Sequence, residues 1–340
     1  MNDFFKTVRD YLNEYLPKQK CLSANTIKSH KNALNMFVSY LRDVKCLSIE
    51  AISFEIMDKQ MILDFLQWLE DTRSSSKSSR NQRLSIIRCF LDYAGKADCT
   101  RVALELDVKE IPRARQSKKI VSYLSDEALR VLLEQPDIKR LNGQRDCFFM
   151  TLMYDTAARV SEILDMRVCD VKINTAHPIA YLRGKGDKLR SVPIMPKTVL
   201  HCKGYLNKFH QGADSASTDY LFYSIIHGER KPLTPQAVEI FMRKYGEKAR
   251  ADCEEIPERV HPHQLRHTKA IHMYRKGTPL VLVGEYLGHV NPATTKVYAY
   301  ADSEMKRRAL AKVDEHLGHT QADAIWENDE DMILRLCGLK

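Results

Sequence analysis

Long apolar runs are missing from this 340-residue sequence. No uninterrupted apolar stretch approaches the roughly 18 residues that a membrane-spanning helix requires. The opening stretch Met1-Asn2-Asp3-Phe4-Phe5-Lys6 mixes acidic and basic side chains with the apolar ones, unlike a secretory signal peptide. These absences argue against a membrane or exported protein and predict a cytoplasmic location.

Paired cysteines are also missing. The nine cysteines are scattered, odd in number and never form a Cys-x-x-Cys pair. In a chain of this size without an export signal, that pattern favours reduced thiols and argues against a structural zinc site. We expect the cysteines to act as small hydrophobic side chains.

Acidic residues are fewer than basic ones, 44 against 53, which gives a net charge of +9 and a sequence pI near 9.0. A surplus of that sign favours an anionic partner, and without a hydrophobic anchor nucleic acid is favoured over a membrane. The length predicts two domains, each with enough residues to bury a core.

Helical periodicity dominates residues 1–98. The pattern predicts a first helix that Pro17 ends, and second and third helices capped by Ser23 and Asp58. A polar segment over 72–79 predicts a loop, followed by a fourth helix that ends at Gly95. The first domain is therefore predicted to be a four-helix bundle.

Residues 99–122 lose this periodicity and contain a proline followed by a cationic run that includes Lys118 and Lys119. Such a composition is typical of an interdomain linker. Two interpretations fit the run: a solvated connector, or a strand that follows a phosphate backbone.

From residue 123 onward, helical patterns return together with one hairpin pattern. Ser125 is placed to begin a helix, and Thr234-Pro235 supplies an N-cap and a proline at the first helical position. Residues 178–193 are predicted to form a β-hairpin, and further helices are expected over 263–276 and 280–287. The second domain is thus predicted to be mostly helical with a small antiparallel sheet.

Three residues in this second domain suggest chemistry on a phosphodiester. Arg159 and Arg266 can hold a phosphate through bidentate hydrogen bonds, and Tyr298 can attack it. A single arginine on a helix is more commonly a solvated charge or part of a surface ion pair. The combination with nearby histidines and a late tyrosine makes phosphoryl transfer the sharper hypothesis.

Residues 155–302 resemble the catalytic domain of the tyrosine recombinase (phage integrase) superfamily, and the four-helix region resembles that family's core-binding domain. The matching segments, which share the family's order and spacing, are Thr156-Ala157-Ala158-Arg159-Val160-Ser161-Glu162, Gly184-Lys185-Gly186-Asp187-Lys188, Pro262-His263-Gln264-Leu265-Arg266-His267, Leu287-Gly288-His289 and Thr294-Thr295-Lys296-Val297-Tyr298. The resemblance implies a mainly α chain: a SAM-like core-binding domain over 1–98, a linker over 99–122, and an α+β catalytic domain of the DNA breaking-rejoining type over 123–302.

The resemblance also implies a role for each matched residue. Lys185 would be the general acid that protonates the departing 5′ oxygen, although a basic hairpin tip is common on any surface. His263 would handle the proton of the nucleophile, and His289 would hydrogen-bond the phosphate unless it is a buried packing residue. The family spacing selects Tyr298 over Tyr300 as the nucleophile. The neighbouring His267 and His272 are interpreted as packing residues.

The implied reaction cleaves one DNA strand through a 3′-phosphotyrosyl intermediate and releases a 5′ hydroxyl. Because the phosphodiester energy is kept in the enzyme–DNA bond, religation needs no ATP, and the resemblance implies no metal or other cofactor. The alternatives are a type IB topoisomerase-like enzyme that relaxes DNA, and a non-catalytic DNA-binding protein on a decayed recombinase fold.

The expected partner is double-stranded DNA with inverted-repeat core sites, bound by a dimer on each site and a tetramer in synapsis. Accessory recombinases or directionality proteins are further possible partners, and the protein is expected to work at the bacterial nucleoid. Candidate DNA contacts share a basic or polar side chain near a helix start, a hairpin or the linker: Thr26, Lys28, Arg80, Asn81, Arg83, Lys118, Lys119, Lys188 and Arg190.

Some features depart from the larger members of the family. The chain begins with the core-binding helices, so we expect no arm-binding domain and a simpler, Xer-like plan. Lys269 stands where an aromatic or apolar residue is frequent, which suggests a subgroup nearer to transposon-borne recombinases. Residues 303–340 are predicted to end in an amphipathic helix that docks onto a neighbouring protomer or folds back on its own chain.

Overall fold

A computed structural model describes residues 2–116, 121–184, 186, 188–212, 214–289, 291–300 and 330–339. The chain divides into two compact units, residues 1–118 and 119–340. Among the described residues, no helix is both long and apolar enough to cross a membrane. All nine cysteines are free, and Cys147 and Cys202 are buried.

The first unit is all-helical, as predicted. Its helices are α1 (Asp3–Asp10), which continues into a π-type helix (Tyr11–Gln19), α2 (Ala24–Asp43), α3 (Lys59–Asp71), α4 (Lys77–Ala97), a short 3₁₀ turn (Cys99–Arg101) and α5 (Val102–Lys109). Ser23 and Asp58 cap α2 and α3 through side-chain bonds to Thr26 N and Met61 N, which confirms both predicted caps.

Two predicted helix ends in this unit are wrong. Pro17 does not stop the first helix, because a π-type turn, which is wider than an α turn, accommodates its ring and carries the helix to Gln19. Gly95 does not end α4, which runs to Ala97. A Cβ at Gly95 would lie 2.6 Å from Glu105 Oε2, so this glycine allows α5 to approach α4 closely.

The segment predicted as a linker holds structure that belongs to the first unit. Helix α5 packs on α4, and Val108 and Ile111 are buried in the same core as Phe65 and Leu84. The Arg88 guanidinium donates to the main-chain oxygens of residues 108, 109 and 111. Residues 99–111 are therefore part of the bundle, because the short helix α5 packs on α4 and buries Val108 in the shared core.

Asn81 holds the chain after α5. Its Nδ2 donates to the carbonyl oxygen of Ala114 at 2.9 Å, and its Oδ1 accepts from Ala114 N at 2.9 Å. The residue is 8% exposed. Both polar groups of this amide are therefore used by the main chain of the same unit, as in a pair of strand hydrogen bonds.

We expect Asn81→Ala to lower the free energy of unfolding of the first unit by about 1–3 kcal/mol, because it leaves two partly buried main-chain groups without partners. The change in the free energy of unfolding is measured by urea denaturation of the protein, with the fluorescence of Trp68 reporting on the first unit. The control is Gln82→Ala, since Gln82 is adjacent but exposed, and its effect should stay within about 0.5 kcal/mol. Equal effects of the two substitutions would contradict a stabilising role for the Asn81–Ala114 hydrogen bonds.

The second unit combines helices with two small antiparallel sheets, which confirms the predicted fold class. Its helices are α6 (Asp126–Glu134), α7 (Leu141–Thr156), α8 (Val160–Leu164), α9 (Pro196–Phe209), α10 (Pro235–Asp252), α11 (Pro262–Arg275), α12 (Leu280–Leu287), α13 (Lys296–Tyr300) and α14 (Glu330–Leu336). Its strands are β1 (Val171–Lys172), β2 (Ile179–Arg183), β3 (Leu189–Pro193), β4 (Tyr223–Ile226) and β5 (Glu229–Pro232).

The predicted β-hairpin is confirmed. Strands β2 and β3 pair antiparallel from Ile179 opposite Pro193 to Arg183 opposite Leu189, and β1 extends this sheet on the far side of β2. The predicted caps Ser125 and Thr234 also hold, bonding Ala128 N and Ala237 N.

Helix α7 lies at the centre of this unit and packs against α9 and α11. Phe148, Phe149 and Met153 of α7 are buried with Leu265 of α11. At the end of α7, Asp155 accepts from Met195 N at 2.8 Å and pairs with Lys269 Nζ at 3.3 Å. Lys269, unusual for its position, is therefore a packing residue that ties α11 to the end of α7 and to the start of α9.

Candidate active site

Arg159 is positioned by a tight turn between α7 and α8. Ala157 caps α7 in the left-handed region at φ 49°, which is uncommon for a residue with a Cβ, and Ala158 is fully buried behind it. Arg159 then adopts extended backbone as the N-cap of α8. The turn therefore leaves the arginine side chain partly exposed while the two alanines stay in the core.

Glu162 links this arginine to the β-hairpin. It accepts from Arg159 N and Arg159 Nη1, both at 2.8 Å, and from both Nη atoms of Arg190 at 2.9 and 2.7 Å. Burial opposes ionisation of this carboxyl, but the hydrogen bonds from Arg190 and Arg159 outweigh it and hold the pKa of Glu162 below its usual value. Sequence reasoning gave Glu162 no role, although its i,i+3 spacing from Arg159 is the available signal.

Arg190, predicted to contact DNA, has a second role in the structure, because it binds Glu162. Its side chain is 15% exposed, and both of its terminal nitrogens are bound to Glu162. Gly288 packs against it so closely that a Cβ there would lie 3.1 Å from Arg190 Cδ. Each Nη atom of Arg190 bonds Glu162, while its buried Nε has no hydrogen-bond partner among the described residues. Arg190 therefore supports Glu162 and, through it, Arg159.

Arg266 is almost fully buried, at 3% exposure. Its Nη1 donates to the carbonyl oxygen of Ala157 at 2.6 Å and its Nη2 to that of Leu287 at 2.7 Å. Burial lowers the pKa of Arg266 to about 10, and the nearby charge of Arg159 acts in the same direction. The side chain remains a cation at neutral pH, held between the turn before α8 and the end of α12.

Tyr298 is 1% exposed and lies in an apolar cluster with Ala157, Ile271, Val283 and Leu287. Burial raises the pKa of its phenol, while the charges of Arg266 and Arg159 act in the opposite direction. Those two cations are the groups that the sequence paired with the tyrosine, and the structure brings all three residues together.

Two imidazoles flank the Tyr298 ring. His267 Nδ1 lies 2.9 Å from Tyr298 Oη, and the ring of His289 stacks on the tyrosine at 6.3 Å between centroids. His289 in turn bonds Thr295 Oγ1 at 2.9 Å. The prediction that His267 only packs is wrong, because its ring forms a hydrogen bond with the Tyr298 hydroxyl. His267 lies one helical turn after His263 on α11.

His263 lies near the start of α11 and is exposed. Partial burial of the imidazole lowers the pKa of His263, and the charges of Arg266 and Arg159 act in the same direction. In the described part of the chain its ring makes no hydrogen bond to Tyr298; that bond is made by His267.

A cavity of about 540 Å³ opens beside these residues. It is lined by Arg159, Gly184, Lys188, Leu189, Arg190, Gly288, His289, Asn291 and Thr294. The predicted contact Lys188 is exposed at its rim. Lys185, between Gly184 and Gly186 at the hairpin tip, lies outside the described residues, as do Lys118 and Lys119. The cavity walls are therefore cationic or neutral, which suits an anionic group.

The electrostatics predict loss of stability in mild acid. Burial lowers the pKa of His267 to about 4, whereas an unfolded histidine titrates near 6.5. As pH falls from about 6.5 to 4, the unfolded chain gains a proton that the folded chain does not, so stability falls by up to about 2 kcal/mol at pH 5. Thermal unfolding at pH 7 and pH 5 measures this, and the difference should shrink in His267→Asn. An unchanged difference in that variant would contradict the assignment to His267.

The predicted DNA contacts of the first unit fare unequally. Asn81 is 8% exposed and bonds the main chain of Ala114 through both polar groups of its amide, which argues against a contact with DNA. Arg80 is 13% exposed and pairs with Glu70 at 2.7 Å, so its charge is already compensated. Lys28 is exposed, and Thr26 lines a polar groove with Asn25 and other residues of α2 and α4. Arg83 donates to Ser79 O at 3.1 Å.

In the portion of the chain that is described, no group of three or more His, Cys, Asp or Glu side chains is arranged to hold a metal ion. The polar groups described around the site include three arginines, three imidazoles, the Glu162 carboxylate that binds Arg159 and Arg190, and one phenol. These groups can hold a phosphate, transfer protons and supply an oxygen nucleophile.

Comparisons with known proteins identify the family. Residues 113–305 match the model of the phage integrase family, and residues 8–97 match the phage integrase N-terminal SAM-like domain. The tyrosine recombinase XerD of Staphylococcus epidermidis is 31% identical over 301 residues, covering 88% of this chain and 96% of that protein. XerD of Staphylococcus haemolyticus is 29% identical over the same shares.

Solved structures share the fold. The Tn1549 transposon integrase in complex with transposon right end DNA matches with a TM-score of 0.68 at 14% identity, over 91% of this chain and 98% of that one. The XerH site-specific recombinase bound to a palindromic difH substrate matches with a TM-score of 0.65 at 21% identity, over 88% and 83%. A lambda integrase tetramer bound to a Holliday junction matches with a TM-score of 0.63 at 16% identity, over 87% and 76%.

The matched family and relatives define the class of protein as a tyrosine recombinase. The family models and the relatives cover most of the sequence, and the chain belongs to the phage integrase family.

Proposed function

We propose that this chain is a site-specific DNA recombinase that cuts and rejoins DNA through a covalent bond to Tyr298. The observation that carries the proposal is the convergence of Arg159, Arg266, His289 and Tyr298 from four separate parts of the second unit. Arg159 and His289 line the cationic cavity, and the charges of Arg266 and Arg159 act on the Tyr298 phenol. Unrelated surface charges or a packing histidine would not require this arrangement.

In this proposal the scissile phosphate occupies the cavity beside Arg159 and is hydrogen-bonded by His289. Cations fixed in a partly buried site stabilise the charge that grows on the phosphate oxygens, at no cost of reorganisation during the reaction. Glu162 and Arg190 keep the Arg159 side chain in place. Arg266 is held by two carbonyl oxygens and adds a second fixed charge.

The chemical step exchanges one ester for another. Tyr298 Oη forms a bond to phosphorus as the bond from phosphorus to the 5′ oxygen breaks, leaving a 3′-phosphotyrosyl bond. By resemblance, His263 takes the phenol proton and Lys185 gives a proton to the departing 5′ oxygen. A second 5′ hydroxyl reverses the reaction, which rejoins the strand without ATP.

The partner in this proposal is double-stranded DNA with inverted-repeat core sites, bound by a dimer on each site and a tetramer during exchange. The lambda integrase tetramer on a Holliday junction supports this stoichiometry by its shared fold. We propose Thr26, Lys28, Arg83 and Lys188, together with Lys118 and Lys119 of the linker, as DNA contacts. The C-terminal helix α14 is proposed to dock onto a neighbouring protomer, and the protein to act on DNA in the cytoplasm.

The test is covalent selection from a pool of duplexes that carry a randomised core and a nick near its centre. A nick lets the short 5′-hydroxyl fragment diffuse away, which traps the covalent intermediate. We expect denatured protein to retain a subset of sequences with inverted symmetry. If no adduct is recovered, the result would indicate a non-catalytic DNA-binding protein. Adducts without sequence preference, together with relaxation of supercoiled plasmid, would indicate a topoisomerase.

A further inference from the structure

The nucleophile proposed above is not directed at the phosphate cavity. Among the described residues, those that line the cavity include His289 and Arg159 but not Tyr298. Tyr298 is 1% exposed, and its hydroxyl faces His267 Nδ1 at 2.9 Å inside the apolar cluster. An attacking oxygen must lie about 3–3.5 Å from phosphorus, in line with the leaving oxygen. The Tyr298 hydroxyl must therefore change its partner before it can react.

The contact with His267 holds the tyrosine rather than activating it. Burial lowers the pKa of His267 to about 4, so its ring is neutral at pH 7, and burial raises the pKa of the Tyr298 phenol above its ordinary value. Transfer of the phenol proton to this imidazole is strongly uphill across such a gap. The bond is thus a neutral one, with the proton on the tyrosine, between two side chains that are both largely buried.

The position of His267 explains why it can serve this purpose. It follows Arg266 directly on α11, and Arg266 is fixed by the carbonyl oxygens of Ala157 and Leu287. Helix α11 therefore fixes the position of the His267 imidazole beside the ring of Tyr298, with 5.7 Å between the ring centroids. Tyr298 lies on a different element, α13, of which the structure describes Lys296–Tyr300.

We propose that His267 is a positioning residue that keeps Tyr298 in a resting orientation, and that cleavage requires the Tyr298 hydroxyl to exchange His267 for the phosphate bound beside Arg159. This inference rests on the proposed function, because it assumes that Tyr298 is the nucleophile. His267 then controls how large a fraction of the molecules is ready to react, while the arginines control the rate of the chemical step.

The first experiment needs no DNA. We would place 3,5-difluorotyrosine at position 298 and follow its ¹⁹F NMR signal against pH and against a soluble gadolinium chelate, in wild type, His267→Leu and His267→Asn. In His267→Leu the phenol should titrate closer to the free amino acid and broaden with the chelate. In wild type and in His267→Asn, whose amide can still bond the hydroxyl, it should stay shielded.

A matched control comes from the same helix. Tyr154 Oη and His272 Nδ1 form a second tyrosine–histidine bond at 3.0 Å. Tyr154→Phe removes that bond and should leave the Tyr298 signal unchanged. A Tyr298 signal that stays shielded in His267→Leu would overturn the proposal. If His267→Leu does not fold, His267→Ala replaces it in both experiments.

The second experiment measures single-turnover cleavage on the nicked duplex recovered by covalent selection. Loss of one net hydrogen bond from the resting state should raise the rate about three- to tenfold in His267→Leu. His267→Asn and Tyr154→Phe should cleave at the wild-type rate. Slower cleavage by His267→Leu would also overturn the proposal, since it would show that His267 assists the attack. Failure of wild type to form any adduct would instead contradict the proposed function and leave the NMR result standing.

Discussion

Tyr298→Phe should abolish the covalent protein–DNA adduct, because it removes the only atom of this side chain that can bond to phosphorus. The fold should survive, since the ring keeps its place among Ala157, Ile271 and Val283, and a single neutral hydrogen bond to His267 is lost. The measurement is denaturing electrophoresis of labelled nicked duplex after incubation with the protein. We expect no detectable adduct from the variant at protein concentrations that convert the duplex fully in wild type.

The neighbouring tyrosine supplies the control. Tyr300 also lies on α13, two positions after Tyr298. Tyr300→Phe should form the adduct at the wild-type rate. If Tyr300→Phe loses the adduct and Tyr298→Phe keeps it, the nucleophile is Tyr300 and the family spacing has selected the wrong residue.

Arg159→Ala should lower the single-turnover rate of cleavage by about 10²–10³-fold, the usual effect of removing one donor that stabilises developing negative charge. The side chain is 36% exposed and lines the cavity, so its loss leaves no hole in the core. Glu162 keeps its two bonds to Arg190. The thermal midpoint should consequently change little while the rate falls, which separates a catalytic effect from a folding effect.

Arg140→Ala is the matched control for charge. Arg140 lies in the same unit, is 83% exposed at its side chain and pairs with Asp137 at the start of α7. Removing it lowers the net charge by the same amount, yet its effect on cleavage should be less than about twofold. If the cleavage rate of Arg159→Ala falls no further than that of Arg140→Ala, Arg159 is not part of the active site.

The contrast between Arg80 and Lys28 shows that the sequence alone does not determine which basic residues are free to contact DNA. Both are basic residues near helix starts, and composition treats them alike. The structure pairs Arg80 with Glu70, ten residues earlier and on another helix, and leaves Lys28 exposed. A charge that is already compensated contributes little to phosphate binding, and only the packing of α3 against α4 decides which charge is compensated.

Local patterns determined much of the protein. Hydrophobic periodicity and the caps Ser23, Asp58 and Ser125 specified the main helices, since a helix and its N-cap depend on residues a few positions apart. The order and spacing of the arginine, histidine and tyrosine segments were sufficient to identify the family and to nominate Tyr298, because a motif records chemistry in residue types.

Tertiary structure decided the relations between distant residues. The bond of His267 to Tyr298 spans 31 positions, and that of Arg190 to Glu162 spans 28. No periodicity or capping rule connects such pairs, because their distance depends on how α11, α13 and the β-hairpin pack. The sequence alone was thus sufficient to say which phenol is the candidate nucleophile. Only the fold could show that the Tyr298 hydroxyl is hydrogen-bonded to His267 and that Tyr298 does not line the phosphate cavity.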